Sequence, residues 1–248
     1  MEAISIKNVS KTFNFHEKGT GWITVLDNIS LSVDKGEFVG IVGPNGCGKT
    51  TLLRLIIGFD LPSSGSILIS GRSSEESRIG YVAQHNVSSL YPWFTASENL
   101  AFADSYIANA KHNAIQKLAD FGIAHYAHTY PYQLSGGIKQ LVSIARATFK
   151  SDIFLFDEPF NALDYKNRFL VENSFLNLRD GKNSAILVSH DLESTILTCD
   201  KIIVFSEKPT VIKAILQIPL PKKRTIDTRF SLEFNIVLQE LLGILNGG

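Results

Sequence analysis

Gly43-Pro44-Asn45-Gly46-Cys47-Gly48-Lys49-Thr50 decides the fold of this chain. The stretch fits the pattern G-x-x-x-x-G-K-[ST], in which glycines let the backbone turn tightly enough to aim its N–H groups at a phosphate chain. Lys49 brings a compact positive charge for the β- and γ-phosphates, and the Thr50 hydroxyl suits Mg²⁺. The flanks agree. Glu37 to Val42 is an apolar run that reads as a buried strand leading in. Lys49 to Ile57 has the spacing of a helix leading out, with its positive end toward the phosphates. Strand, glycine loop and helix in that order predict an α/β P-loop nucleotide-binding core.

The rest of the chain fits one large α/β domain or a core with subdomains. Its 248 residues are enough to bury a full core. Lys+Arg and Asp+Glu both number 24, so the net charge is zero, which argues against a broad nucleic-acid surface. No apolar run reaches the roughly 20 residues needed to span a bilayer. Met1 to Lys7 lacks the basic and apolar regions of a secretory signal. Cys47 and Cys199 offer no disulfide framework, and Cys47 lies inside the glycine loop, so a reducing, cytosolic setting is expected.

Period-2 alternation predicts strands over residues 3–9, 25–33 and 65–70, with turn signals at Asp34-Lys35-Gly36 and Pro62-Ser63-Ser64-Gly65. Ile79 to Ala83 is a short buried strand ending at Gln84. From about Ser97 to Lys150 the pattern is helical, broken near Gly122 and at Tyr130-Pro131. Continuous apolar runs return at residues 153–156, 184–188 and 202–205, as in a parallel sheet covered on both faces. A helical insert therefore divides one α/β domain. Pro219 to Arg224 reads as a solvated linker, its Pro221-Lys222-Lys223-Arg224 run included, and Ser231 to Leu245 as a final amphipathic helix.

Two further motifs carry chemistry. Ile153-Phe154-Leu155-Phe156-Asp157-Glu158 is an apolar strand ending in two acids. Asp157 is placed to hold Mg²⁺ opposite Thr50, and Glu158 is the candidate general base for a water attacking the γ-phosphate. Leu134-Ser135-Gly136-Gly137-Ile138-Lys139-Gln140 opens a helix with a capping serine and two glycines that let its amides approach an anion. With this motif, residues 1 to about 215 resemble the ATP-binding subunits of ABC transporters, and 216–248 a C-terminal linker and helix.

That resemblance implies a P-loop NTPase (RecA-like) core with an antiparallel β-subdomain and an α-helical subdomain over about 86–150. It implies ATP hydrolysis with Mg²⁺. Phe13, Gly43 to Thr51 and Gln84 form the expected ATP-contacting set, with Thr50, Gln84 and Asp157 at the metal. Phe13 is the aromatic expected to stack on adenine, with Phe15 and Trp22 close by in sequence. Ser135, Gly136, Gly137 and Gln140 would meet the nucleotide of a second copy, so that two chains share two sites. Asn161-Ala162-Leu163-Asp164 matches the D-loop, and His190 matches the switch histidine at the γ-phosphate, with Lys49 and Glu158 completing the catalytic group. The chain departs from the pattern at Ile138, Lys139, Leu141 and Asn161, none of them the catalytic acid, lysine or histidine.

Tyr91-Pro92-Trp93-Phe94-Thr95-Ala96-Ser97-Glu98-Asn99 resembles a segment of importer ATPases of the nitrate/sulfonate/taurine group, which also takes up pyrimidine precursors. By that resemblance the segment is a socket for a permease helix; the alternative is a core Trp beside a Pro turn. The implied assembly holds a second copy of the chain, permease subunits and a solute-binding protein, with no nucleic acid, at the cytoplasmic face of the cell membrane. The alternatives are a non-transport ABC ATPase of DNA repair or translation, and a P-loop GTPase or small-molecule kinase. Against them stand the lack of a coiled-coil insert or second cassette, the lack of an Asn-Lys-x-Asp base-reading motif, and the presence of Leu-Ser-Gly-Gly.

Overall fold

The computed structural model describes residues 1–15, 21–84, 89–102, 109–161 and 163–247. A six-stranded sheet runs in the order β5-β6-β7-β3-β8-β9. Its strands are β3 (Phe38–Val42), β5 (Ile79–Val82), β6 (Ile153–Asp157), β7 (Ser184–Val188), β8 (Lys201–Phe205) and β9 (Ile212–Gln217). The first five are parallel and β9 pairs antiparallel with β8. A second, antiparallel sheet has the order β2-β1-β4, from β1 (Glu2–Phe15), β2 (Gly21–Asp34) and β4 (Ser64–Ile69).

The unbroken apolar runs follow from burial on both faces. In β6, Ile153 and Leu155 join the core against the antiparallel sheet and helix α1 (Lys49–Ile57). Phe154 and Phe156 face the other way, into the core shared with α2 (Ala96–Ala101), α3 (Ala110–Asp120), α4 (Gly136–Ala147) and α5 (Tyr165–Leu178). The sheet thus separates a β-subdomain from a helical subdomain and leaves the C-terminal ends of its strands open. The breaks expected at Gly122 and Tyr130-Pro131 are present: Gly122 has φ 71°, and Pro131–Gln133 forms a short 3₁₀ turn.

The C-terminal part differs from the sequence reading. Strand β9 runs across residue 215. The segment after it is packed, not solvated, for Leu220 and Arg224 are both buried. Arg224 donates from Nη1 to the carbonyls of Ile196 (3.0 Å), Leu197 (3.1 Å) and Cys199 (2.6 Å), satisfying the end of α6 (Leu192–Thr198). Burial, then the neighbouring Arg179, lowers the Arg224 pKa to about 10. Helix α7 (Leu232–Asn246) is capped by Ser231 and sets Phe234, Val237 and Leu241 into a third core with α6, β8 and β9.

Candidate active site

The glycine loop joins β3 to α1, so it lies at the edge where the parallel strands end. Gly48 has φ 115°, and a Cβ there would sit 2.7 Å from Val25 Cγ1, so no other residue fits this turn without strain. Lys49 is buried, and its Nζ donates to the carbonyls of Gly43 (2.8 Å) and Pro44 (2.9 Å), drawing the ammonium over the loop. The first turn of α1 carries no acid of its own. Burial pushes the Cys47 thiol up against the opposing Lys49 charge and keeps it neutral at physiological pH.

A pocket of about 170 Å³ opens here, lined by Asn45, Gly46, Gly48, Lys49, Thr50, Thr51, Gln84, Asp157, Glu158 and Val188. Residues from the glycine loop, the end of β5 and the end of β6 thus share one cavity. The Thr50 hydroxyl donates to Asp157 Oδ2 at 2.8 Å, and Asp157 is almost wholly buried. A hydroxyl and a carboxylate at the edge of a phosphate loop are the hard oxygen donors that suit Mg²⁺ shared with substrate phosphates. The residues present fit that ion.

Glu158 follows at φ 52°, a left-handed conformation that costs a non-glycine residue energy and turns its side chain toward the pocket. Its amide donates to the Val188 carbonyl (2.8 Å), fixing the end of β6 to β7. Its Oε2 accepts from His190 Nδ1 (2.7 Å) and from the His190 amide (3.2 Å). The His190 ring is half exposed, and with Nδ1 engaged its Nε2 is left for another group.

The signature residues stand apart from this pocket. Ser135 caps α4, its hydroxyl accepting from Ile138 N at 3.4 Å. Gly136 and Gly137 form the first turn. A Cβ on Gly137 would fall 2.1 Å from Asn167 Cγ, so the glycine lets α4 rest on α5. Asp164 caps α5 by accepting from Asn167 N at 2.8 Å. Ala162, within the expected D-loop, lies outside the described residues, as do parts of the segment after Gln84. Gln140 is buried, and its Nε2 donates to Pro159 O at 2.9 Å, which braces the loop after Glu158.

Phe13 is half-buried, packed against the β-subdomain core, with Lys11 Nζ 4.9 Å from its ring centroid, while Trp22 stands exposed. The Phe15 side chain lies outside the described set. Sequence reasoning missed a support of the glycine loop. The buried Thr210 hydroxyl donates to the Cys47 carbonyl, and its backbone bonds Val25 and Asp27. Glu207 and Lys208 line a further hollow beside Pro44 to Cys47. No motif marks this loop, which joins β8 to β9.

The match to the ABC transporter family covers residues 26–161. The chain belongs to that family. It is 35% identical over 230 residues to an aliphatic sulfonates import ATP-binding protein of Bacillus cereus, covering 90% of this chain and 88% of that one. It is 34% identical over 233 residues to the bicarbonate transport ATP-binding protein of Synechocystis, covering 90% and 82%. The solved dimeric ATP-binding cassette MJ0796, bound to ADP and Pi, superposes with a TM-score of 0.75 at 28% identity, covering 88% of this chain and all of that one. The cassette described above is thus an ABC ATPase and uses ATP with Mg²⁺. Among its described residues no helix is long and apolar enough to cross a membrane.

Proposed function

We propose that the chain is the ATP-hydrolysing subunit of an importer. It would work as a pair of copies at the cytoplasmic face of a membrane permease, with a solute-binding protein delivering a small sulfonate, nitrate-like anion or pyrimidine precursor. Import-named relatives and the dimeric cassette support this reading over a repair or translation ATPase. In it, the loop amides and Lys49 hold the phosphates, while Thr50, Asp157 and Gln84 hold Mg²⁺, which screens the phosphate charge when bound. Glu158 takes the proton of the attacking water. His190 orients that carboxylate through Nδ1 and offers Nε2 to the γ-phosphate. Ser135, Gly136 and Gly137 of a second copy, with its Asp164 nearby, close the site, and Phe13 stacks on adenine.

The observation that carries the importer reading is the aromatic turn after Gln84. Trp93 is 66% exposed and Phe102 48% exposed. Tyr91 gathers the rings of Trp93, Phe94 and Phe102 at centroid separations of 5.7, 5.8 and 5.0 Å. Asn99, fully buried, donates to the carbonyls of Tyr91, Phe94 and Thr95 and accepts from Tyr91 N. The turn is therefore held in place before any partner arrives, and Trp93 and Phe102 face solvent, where a core tryptophan would not stand. Trp93→Ala should keep basal hydrolysis and melting temperature, lose co-purification with the permease and abolish uptake. An interface aromatic is commonly worth about 2 kcal/mol, a roughly thirtyfold loss of affinity. A lowered melting temperature with permease binding retained would refute the socket.

A further inference from the structure

A second cavity of about 770 Å³ lies at the opposite edge of the molecule, where the parallel strands begin. Lys35 precedes β3, Arg78 precedes β5, Lys150 precedes β6 and Lys182 precedes β7. The β-subdomain forms the other wall and adds Lys7 from β1 and Arg72 from the turn after β4. Against these six cations the cavity has three carboxylates, Glu2, Glu76 and Asp152. In a chain of zero net charge that excess is a local concentration of positive potential.

Five of these six cations are not consumed by internal pairing. Among the described residues, Lys7, Lys35, Arg72, Arg78 and Lys182 form no ion pair. Strand geometry sets the floor. Ile4 and Ile6 turn into the core, so Ser5 and Lys7 face the cavity, and Leu68 stands opposite Ser5 across the β1–β4 pair. Leu68 is left 41% exposed there, beside charges that could equally have been placed elsewhere. An exposed leucine among these cations, in a cleft the size of one small ligand and between two subdomains, has the construction of a binding site. Exposed Arg72 and Arg78 add planar guanidinium groups, which grip phosphate oxygens in pairs.

We propose that this groove binds a soluble phosphorylated small molecule, of the nucleotide class, with an aromatic or apolar body on Leu68 and two or more phosphates among the cations. The groove is separate from the catalytic pocket, since none of its residues lines that pocket. It also stands independently of the importer reading.

The test is calorimetric titration of the full-length Lys49→Ala chain, whose catalytic site is weakened for phosphates, with adenosine 3′,5′-bisphosphate. One saturable site is expected, tightening as salt is lowered, with no heat from adenosine. Adding Arg72→Ala and Arg78→Ala should weaken it by about tenfold or more, the loss of two charge-assisted contacts. The same arginine pair changed in the otherwise wild-type chain should leave ATP hydrolysis and melting unchanged, which shows that the fold is kept. Absence of saturable binding, equal affinity with and without the two arginines, or binding only to phosphatidylglycerol vesicles would each overturn the proposal.

Discussion

Glu158 and His190 depend on each other. The carboxylate sits on a left-handed backbone, anchored by Val188 O and aimed by two hydrogen bonds from His190. The ring is half exposed, so its loss should act on turnover and not on folding. His190→Ala is expected to lower steady-state ATP hydrolysis about a hundredfold, in the range of losing one preorganised donor, with ATP affinity within a few-fold of wild type. Equilibrium nucleotide binding and hydrolysis rates measured together check this; a fallen melting temperature with affinity lost in step would make His190 a structural group. At this scale the sequence was informative where spacing encodes chemistry. Lys49, Thr50, Gln84, Asp157 and Glu158 come together in one pocket as read.

Two helix ends are held in place by polar groups. The Thr95–Glu98 capping box starts α2 beneath the aromatic turn, with Lys111 paired to Glu98 at 3.0 Å. The Thr95 amide, then Lys111 and the Thr95 hydroxyl, hold the Glu98 carboxyl down at about 2, below its ordinary 4.5. A depressed carboxyl stabilises the fold above its unfolded pKa, and that stability disappears as pH falls through the folded value. Wild type should therefore exceed Glu98→Gln in urea stability at pH 7, and the gap should close between about pH 4.5 and 2. A gap that persists at pH 2 would show that the cap acts by shape alone. Arg224 does the corresponding work at the end of α6. Arg224→Ala strands the carbonyls of Ile196, Leu197 and Cys199, and should cost about 2–3 kcal/mol in denaturant unfolding. A cost under 0.5 kcal/mol would restore the solvated-linker reading. The linker was misread because a Lys-Lys-Arg run looks solvated until its third member is seen to end a helix. Strand β9 was missed because an antiparallel edge strand is only half-covered and its apolar positions look irregular.

At the scale of the whole molecule, the parallel sheet, its P-loop edge and the helical insert were legible because strands covered on both faces leave unbroken apolar runs. The tie between the C-terminal segment and the switch region was not. Glu172, fully buried on α5, joins Arg168, Ser194 and Arg229, and Arg168 reaches Asp191 beside His190. Its partners come from three separate parts of the chain, so no local pattern announces them. Ser135, Gly136 and Gly137 stand outside the pocket that gathers Lys49, Asp157 and Glu158; in the proposed reading a second copy brings them to the γ-phosphate. In that reading Glu158→Gln keeps the phosphate and Mg²⁺ contacts but removes the base, so ATP should stay bound and hold two copies together. Light scattering of Glu158→Gln with MgATP, with MgADP and without nucleotide, alongside its hydrolysis rate, tests this directly. The account predicts a doubled mass with MgATP alone and hydrolysis lowered at least a hundredfold. A chain that stays monomeric while binding ATP, or that hydrolyses at the wild-type rate, would contradict it.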